Sequence, residues 1–187
     1  SLYTKLNYDL VRDFATITQL ATTPHILVVH PSVPVKTVKE FTALAKAKPG
    51  ELAYSSSGSG SAAHLAGELF NSLAGVKTTH VPYKGGGPSM IALVGGEVSV
   101  AFATMPSAIG YVRSGRLRGI AVTTDKRSPS TPELPTIAET GVVGYEAGSW
   151  YGLSAPAGTS KEIVARLHAE TIKVVALGDS LTAGFQL

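Results

Sequence analysis

Residues 52–75 read LAYSSSGSGSAAHLAGELFNSLAG. Residues 52–55 predict a strand that the serine–glycine cluster ends, and residues 56–60 a loop. Residues 61–74 then predict a helix with Leu65, Leu69, Phe70 and Leu73 inward, stopped by Gly75. A strand, a small-residue loop and a helix in this order form half of an α/β unit. The pattern extends on both sides. Upstream, residues 26–30 (ILVVH) predict a buried strand and residues 37–48 a helix with Val38, Phe41, Leu44 and Ala45 on one face, closed by Pro49-Gly50. Downstream come a strand at 78–82, a glycine loop at 83–87 and a helix at 88–94 with Pro88 in its first turn. Strands at 98–103 and 117–123 flank a helix at 108–113. Right-handed crossovers turn such a series into a layered sheet of parallel type flanked by helices, with loops 57–61, 83–87 and 105–107 on one edge.

The lobe so predicted covers residues 22–125. Residues 126–135, rich in Pro, Ser and Arg, read as a solvated connection, and residues 145–155 as an aromatic extended crossing, within a connecting segment 126–158. In the last segment, 159–187, Ser160 caps a helix from 161 to about 176. Residues 1–21 hold one strand, 15–20. These terminal pieces are expected to belong to an incomplete second lobe. The strand at 15–20 and the apolar helix face of Ile163, Leu167, Ile172 and Val175 then lack intrachain cover, which predicts a homo-oligomer.

Composition excludes several classes. Of the 187 residues 44% are apolar and 16% charged, with no cysteine and a net charge of +3 from 16 basic against 13 acidic side chains. With a mean hydropathy of +0.19, that is neither a disordered chain nor a disulfide scaffold. The basic residues are scattered, so no footprint for nucleic acid is expected. No apolar run approaches the ~18 residues of a membrane helix, and the opening SLYTKLNYDL has no signal-peptide pattern. His25, His30, His64, His80 and His168 show no metal-ligand spacing, so neither a metal nor a cofactor is expected.

The chemistry concentrates in the loops. Ser57, Gly58, Ser59, Gly60 and Ser61 lie between a strand and a helix, where free amides and the positive end of the helix dipole make an anion site; the alternative is a tight turn with Ser61 as N-cap. Gly58, Gly60 and Ala63 also fit the relaxed dinucleotide fingerprint G-x-G-x-x-A, but the next strand ends near Lys84, where an acidic ribose ligand belongs. Tyr83, Lys84, Gly85 and Gly86 form a second loop on the same edge, in which Lys84 is either a counter-charge or a solvated loop lysine. Ser107 is a ligand donor or a helix cap. His64 either faces the ligand or serves as a capping or core histidine.

Three runs carry a resemblance: YSSSGSGSAAHLAGELF at 54–70, HVPYKGGGP at 80–88 and WYGLSAPAGT at 150–159. Together with LYTKL at 2–6 and DFATIT at 13–18 they resemble the Bug/TctC family, the periplasmic solute-binding proteins of tripartite tricarboxylate transporters. The resemblance implies a type II periplasmic-binding-protein lobe plus part of a second, a small carboxylate ligand, transporter subunits in the membrane as partners, and a periplasmic location. It also implies that Trp150 and Tyr151 line the ligand cleft, although an aromatic in an extended run is more often packing. Where the family usually carries Asp, this chain has Ser99 and Ala103, which predicts fewer polar contacts from that strand. The final run VVALGDSLTAGF at 174–185 resembles instead the first block of GDSL (SGNH) esterases. That resemblance implies an alternative function, an esterase on short acyl esters with Ser180 as nucleophile beside Asp179. The chain has no Asp-x-x-His to supply the base, which leaves His168 as an improvised one.

Overall fold

A computed structural model describes residues 5–184, with side chains for residues 5–172. The chain forms two compact units, Thr23–Ser149 and a second made of Ser1–Thr22 with Trp150–Leu187. Residues 126–149 belong to the larger unit, and within 126–135 most side chains are exposed.

In the larger unit β2 (Ala53–Ser56), α2 (Ala62–Ala74), β3 (Thr79–Pro82), α3 (Gly86–Val94), β4 (Val100–Thr104), α4 (Met105–Arg113) and β5 (Arg118–Val122) follow the predicted alternation. Ahead of them run β1 (Phe14–Val29), which begins in the other unit, and α1 (Val38–Ala47). The sheet order is β3-β2-β4-β1-β5. β2 is parallel to β3 and to β4, whereas β1 is antiparallel to both β4 and β5. The sheet is thus mixed, and β1 alone opposes the other four strands. The alternation reads β1–α1–β2 as one more crossover between parallel strands, yet β1 leads through α1 into β2 and runs antiparallel to β4, the strand to which β2 is parallel, so this one connection does not keep the direction of the series. The strand expected at 15–20 is the first part of this same β1.

Both faces of the sheet are covered, so Ile26, Leu27, Val28 and Val29 are all fully buried. Leu27 and Val29 join Phe41, Tyr54, Phe70 and Phe102 on one face; Ile26 and Val28 join Met90, Leu93 and Val122 on the other. Residues that follow the 126–135 connection complete the first cluster. Ile137 and Tyr145 are buried there, and the Tyr145 hydroxyl donates to Ala66 O at 3.0 Å. Ile137 N–H donates to Val122 O at 2.9 Å, which ties the segment to the end of β5. The apolar residues that reach the core, Ile137, Val142 and Tyr145, all follow the Pro-, Ser- and Arg-rich stretch.

Helix α2 buries Ala66, Gly67 and Phe70, while Leu65 and Leu73 stand 51% and 44% exposed, contrary to their predicted inward orientation. The small residues let the helix approach Tyr54, so the stripe of Ala66 and Phe70 meets the sheet and the Leu65 and Leu73 stripe turns outward. A Cβ on Gly67 would lie 2.4 Å from the Tyr54 ring. Gly→Ala inside a helix ordinarily stabilises by about 0.5–1 kcal/mol. Here Tyr54 is fully buried and bonded to Glu68, so it cannot swing away. Overpacking costs about 1–3 kcal/mol and wins. Gly67→Ala is therefore expected to lower the urea midpoint, and an unchanged or raised midpoint would contradict this packing.

The smaller unit holds the first part of β1, β6 (Gly148–Pro156), which pairs with β1, and α5 (Lys161–Gly184). Ser160 Oγ accepts from Ile163 N–H at 3.3 Å, as expected of the cap. Ile17 is buried and its carbonyl accepts from His168 Nδ1 at 2.9 Å, so this part of β1 does have intrachain cover. Ile163, Leu167 and Ile172 remain exposed, and Val175 lies outside the described side chains.

Candidate functional site

Strands β2, β3 and β4 are mutually parallel, and each is followed within a few residues by a helix. The N-termini of α2, α3 and α4 therefore share the edge at the carboxyl ends of the strands, where α/β sheets bind ligands. A cleft of about 80 Å³ opens there. It is lined by Ser57 and Ala63 at the start of α2, Gly86 and Ser89 at the start of α3, and Thr104 and Ser107 at the start of α4, over a floor that includes Phe102 and Ala103. All three predicted loops thus reach one cleft. Against ~30 Å³ per water, this volume suits a group of a few heavy atoms. A groove of about 510 Å³ between α1 and α2 is larger, but it lies away from the carboxyl ends of β2, β3 and β4, and Lys39, Lys46 and Leu73 are among its lining residues.

None of the lining residues is charged, and residues from the first turns of three helices, each of which carries the positive end of a helix dipole, take part in the lining. The hydroxyls are partly committed. Ser89 Oγ donates to Ser55 Oγ at 2.9 Å, and both are buried. Ser107 Oγ donates to Thr104 O at 2.8 Å; since α4 begins at Met105 and its N-cap is Thr104, with no side-chain capping bond, Ser107 is a wall of the cleft and not the expected helix cap.

The serine loop is less open than its sequence suggests. Gly58 N–H donates to Ser56 Oγ at 3.1 Å, Gly60 N–H to His64 Nδ1 at 3.0 Å and Ser61 N–H to Gly58 O at 3.2 Å. Ser61 Oγ caps α2 by accepting from His64 N–H at 3.3 Å. The Gly58, Gly60 and Ser61 amides thus hold the loop's own shape. Tyr83 N–H and Gly85 N–H donate to Ser56 O and Ser57 O at 3.0 and 3.1 Å and clasp the two loops together. Lys84 is exposed and does not line the cleft. Trp150 belongs to the smaller unit, where its ring stands 71% exposed. Asp179 and Ser180 lie on α5, but their side chains are outside the described residues.

Sequence reasoning missed Ser55 and Ser89, while Ala103 on the floor of β4 is one of the two positions singled out for lacking an Asp. Ser89 had a signal, since it closes the run Gly85-Gly86-Gly87-Pro88 one turn into a helix. Burial holds two histidines of this unit below the ordinary imidazole range. For His25 the backbone of Phe102 opposes the effect weakly; for His80 the neighbouring His64 adds to it and Glu68 opposes it.

A family model described as tripartite tricarboxylate transporter family receptor (TctC) matches residues 1–182. The chain belongs to this receptor family. It is 34% identical over 168 residues to protein BugT of Bordetella pertussis, an alignment that covers 90% of this chain and 52% of BugT. Among solved structures, a protein of R. palustris with adipate superposes with a TM-score of 0.87 at 40% identity, over 91% of this chain and 57% of that one. MatC of Rhodopseudomonas palustris with bound malate superposes at 0.84 with 32% identity, over 92% and 58%. The receptor chain spans about half the length of the curated relatives it matches.

The match to the receptor family runs through Gly178-Asp179-Ser180-Leu181, the stretch expected to mark a junction with an esterase. The comparisons give that esterase resemblance no support. The backbone there is helical, and His168 and Ser180 sit twelve residues apart on one helix. At ~1.5 Å rise per residue they are about 18 Å apart along its axis, beyond reach of any proton transfer. His168 is also already bonded to Ile17 O.

Proposed function

We propose that this chain carries the carboxylate-holding lobe of a solute receptor, and that its cleft takes one carboxylate of a small dicarboxylate. The observation that carries the reading is the convergence of three helix N-termini on a cleft with no charged side chain. Such a site favours an anion through amides and dipoles and offers nothing to a cation. Ser57, Gly86, Ser89 and Ser107 are the proposed contacts; the remaining residues of loops 57–61 and 83–87 set the shape. The bound adipate and malate of the two structural neighbours support the choice of ligand class. A periplasmic location, service to membrane transporter subunits and pairing with a second copy through Ile163, Leu167 and Ile172 belong to the same proposal. The role of Trp150 at the ligand belongs to it too. Esterase chemistry at Ser180 has no observation in its favour.

Thermal-shift titration tests the reading. Ligand at tenfold its Kd adds about 1.4 kcal/mol of stability, which moves Tm by roughly 3–6 °C for a chain of this size. Adipate or malate at millimolar concentration is expected to give that rise, and the matching diamine none. No shift with any dicarboxylate, or an equal shift with the diamine, would overturn the proposal.

A further inference from the structure

The serine loop rests on two stacked imidazoles. The His64 ring, on the first turn of α2, lies 3.9 Å from the His80 ring of β3 with the planes 20° apart. Each ring holds a different point of the loop. His64 Nδ1 accepts the Gly60 N–H at 3.0 Å, and His80 Nε2 lies 2.6 Å from Ser56 Oγ. That hydroxyl in turn donates to Gly58 O at 3.0 Å and accepts from Gly58 N–H at 3.1 Å.

We infer that His64 and His80 are the positioning residues of the serine loop and hold it in shape only while Nδ1 of His64 is unprotonated; this rests on the dicarboxylate reading of the neighbouring cleft. The proton inventory of the network gives the two rings different roles. Ser56 has one proton; assigning it to Gly58 O makes His80 the donor through Nε2–H, a bond that ring keeps whether neutral or cationic. His64 must accept, so its proton sits on Nε2, and a second proton on Nδ1 would set two donors face to face. The charged and titratable groups around the pair come from three elements. They are Glu68 on α2, Tyr54 on β2, which donates to Glu68 Oε1 at 2.6 Å and to His64 O at 3.3 Å, and His80 itself on β3. Glu68 favours cationic His80, whereas burial and His64 disfavour it, so charge on the second ring is resisted once the first is charged.

The test uses the ¹⁵N-labelled full chain, with the Gly60 amide and the imidazoles followed by NMR between pH 7.5 and 5 and adipate affinity measured at pH 7.5. In the native chain the Gly60 amide is expected to move with the same midpoint as the His64 ring. Asn places an acceptor where Nδ1 was and cannot take a proton, so His64→Asn is expected to flatten the Gly60 profile at its neutral-pH position and to keep adipate affinity within about threefold. His64→Leu is expected to displace the Gly60 amide at every pH and weaken adipate roughly tenfold, about the worth of one hydrogen bond. A Gly60 amide that titrates independently of His64, or a pH step that persists in His64→Asn, would overturn the inference. If His64→Leu fails to fold, the His64→Asn profile decides alone. If adipate binds no form of the chain, the receptor reading falls, while the amide profiles still decide whether the histidines position the loop.

Discussion

Phe70→Ala is expected to remove about 3–5 kcal/mol from the stability of the larger unit, the largest single loss in the chain. Phe70 is fully buried at the centre of an aromatic cluster, with ring centroids 5.4 Å from Phe41, 5.7 Å from Phe102 and 6.0 Å from Tyr145. These partners come from α1, from β4 and from the segment after β5, so one truncation opens a void where four elements meet. The neighbours cannot close it. Phe102 is fixed in the middle of the sheet, and Tyr145 is anchored by its hydroxyl to Ala66 O. Phe70→Leu keeps most of the volume and is expected to cost less than half as much. Urea unfolding followed by circular dichroism checks both. A loss below about 1 kcal/mol for the alanine variant would mean that the cluster is not the core of the unit.

How legible this molecule was depends on what each residue had to signal. Strands, helices and their loops were readable from Ile26 to Val122 because each change of period is marked by Gly, Ser or Pro, and those same residues form the helix starts that build the cleft. The direction of β1 was misread, since the helix that joins it to β2 looks in sequence like any other crossover, yet β1 runs antiparallel to β4. The orientation of α2 was misread because leucine outweighs alanine and glycine in a count of hydrophobicity. Yet it is the missing side chain of Gly67 that brings the helix down on Tyr54. The site followed the same rule. Glycines and serines marked the loops correctly, but which amides remain open depends on partners such as His64 and Ser56, whose reach no spacing reveals. The GDSL block shows the reverse error, a short match of letters whose one candidate base, His168, stands twelve residues away on the same helix and is bonded to Ile17 O.

Gly86→Asp is expected to abolish dicarboxylate binding, with affinity reduced at least 100-fold, while the fold keeps or gains stability. Gly86 opens α3 and lines the cleft, and a Cβ at this position would meet nothing within 4 Å. An aspartate in the first turn of a helix is stabilising by about 0.3–1 kcal/mol through the dipole. The same carboxylate then takes the potential that the cleft offers to a ligand. Two like charges about 4 Å apart repel by about 4 kcal/mol at an effective dielectric near 20, a penalty worth close to three decades of affinity before screening by salt. Gly86→Asn has the same volume without the charge and is expected to weaken binding no more than about tenfold, comparable with one displaced hydrogen bond. Calorimetry with adipate on the three proteins separates charge from crowding. An aspartate variant that binds adipate as the native chain does would place the ligand elsewhere, and equal losses for Asp and Asn would show that space, not the converging dipoles, governs the site.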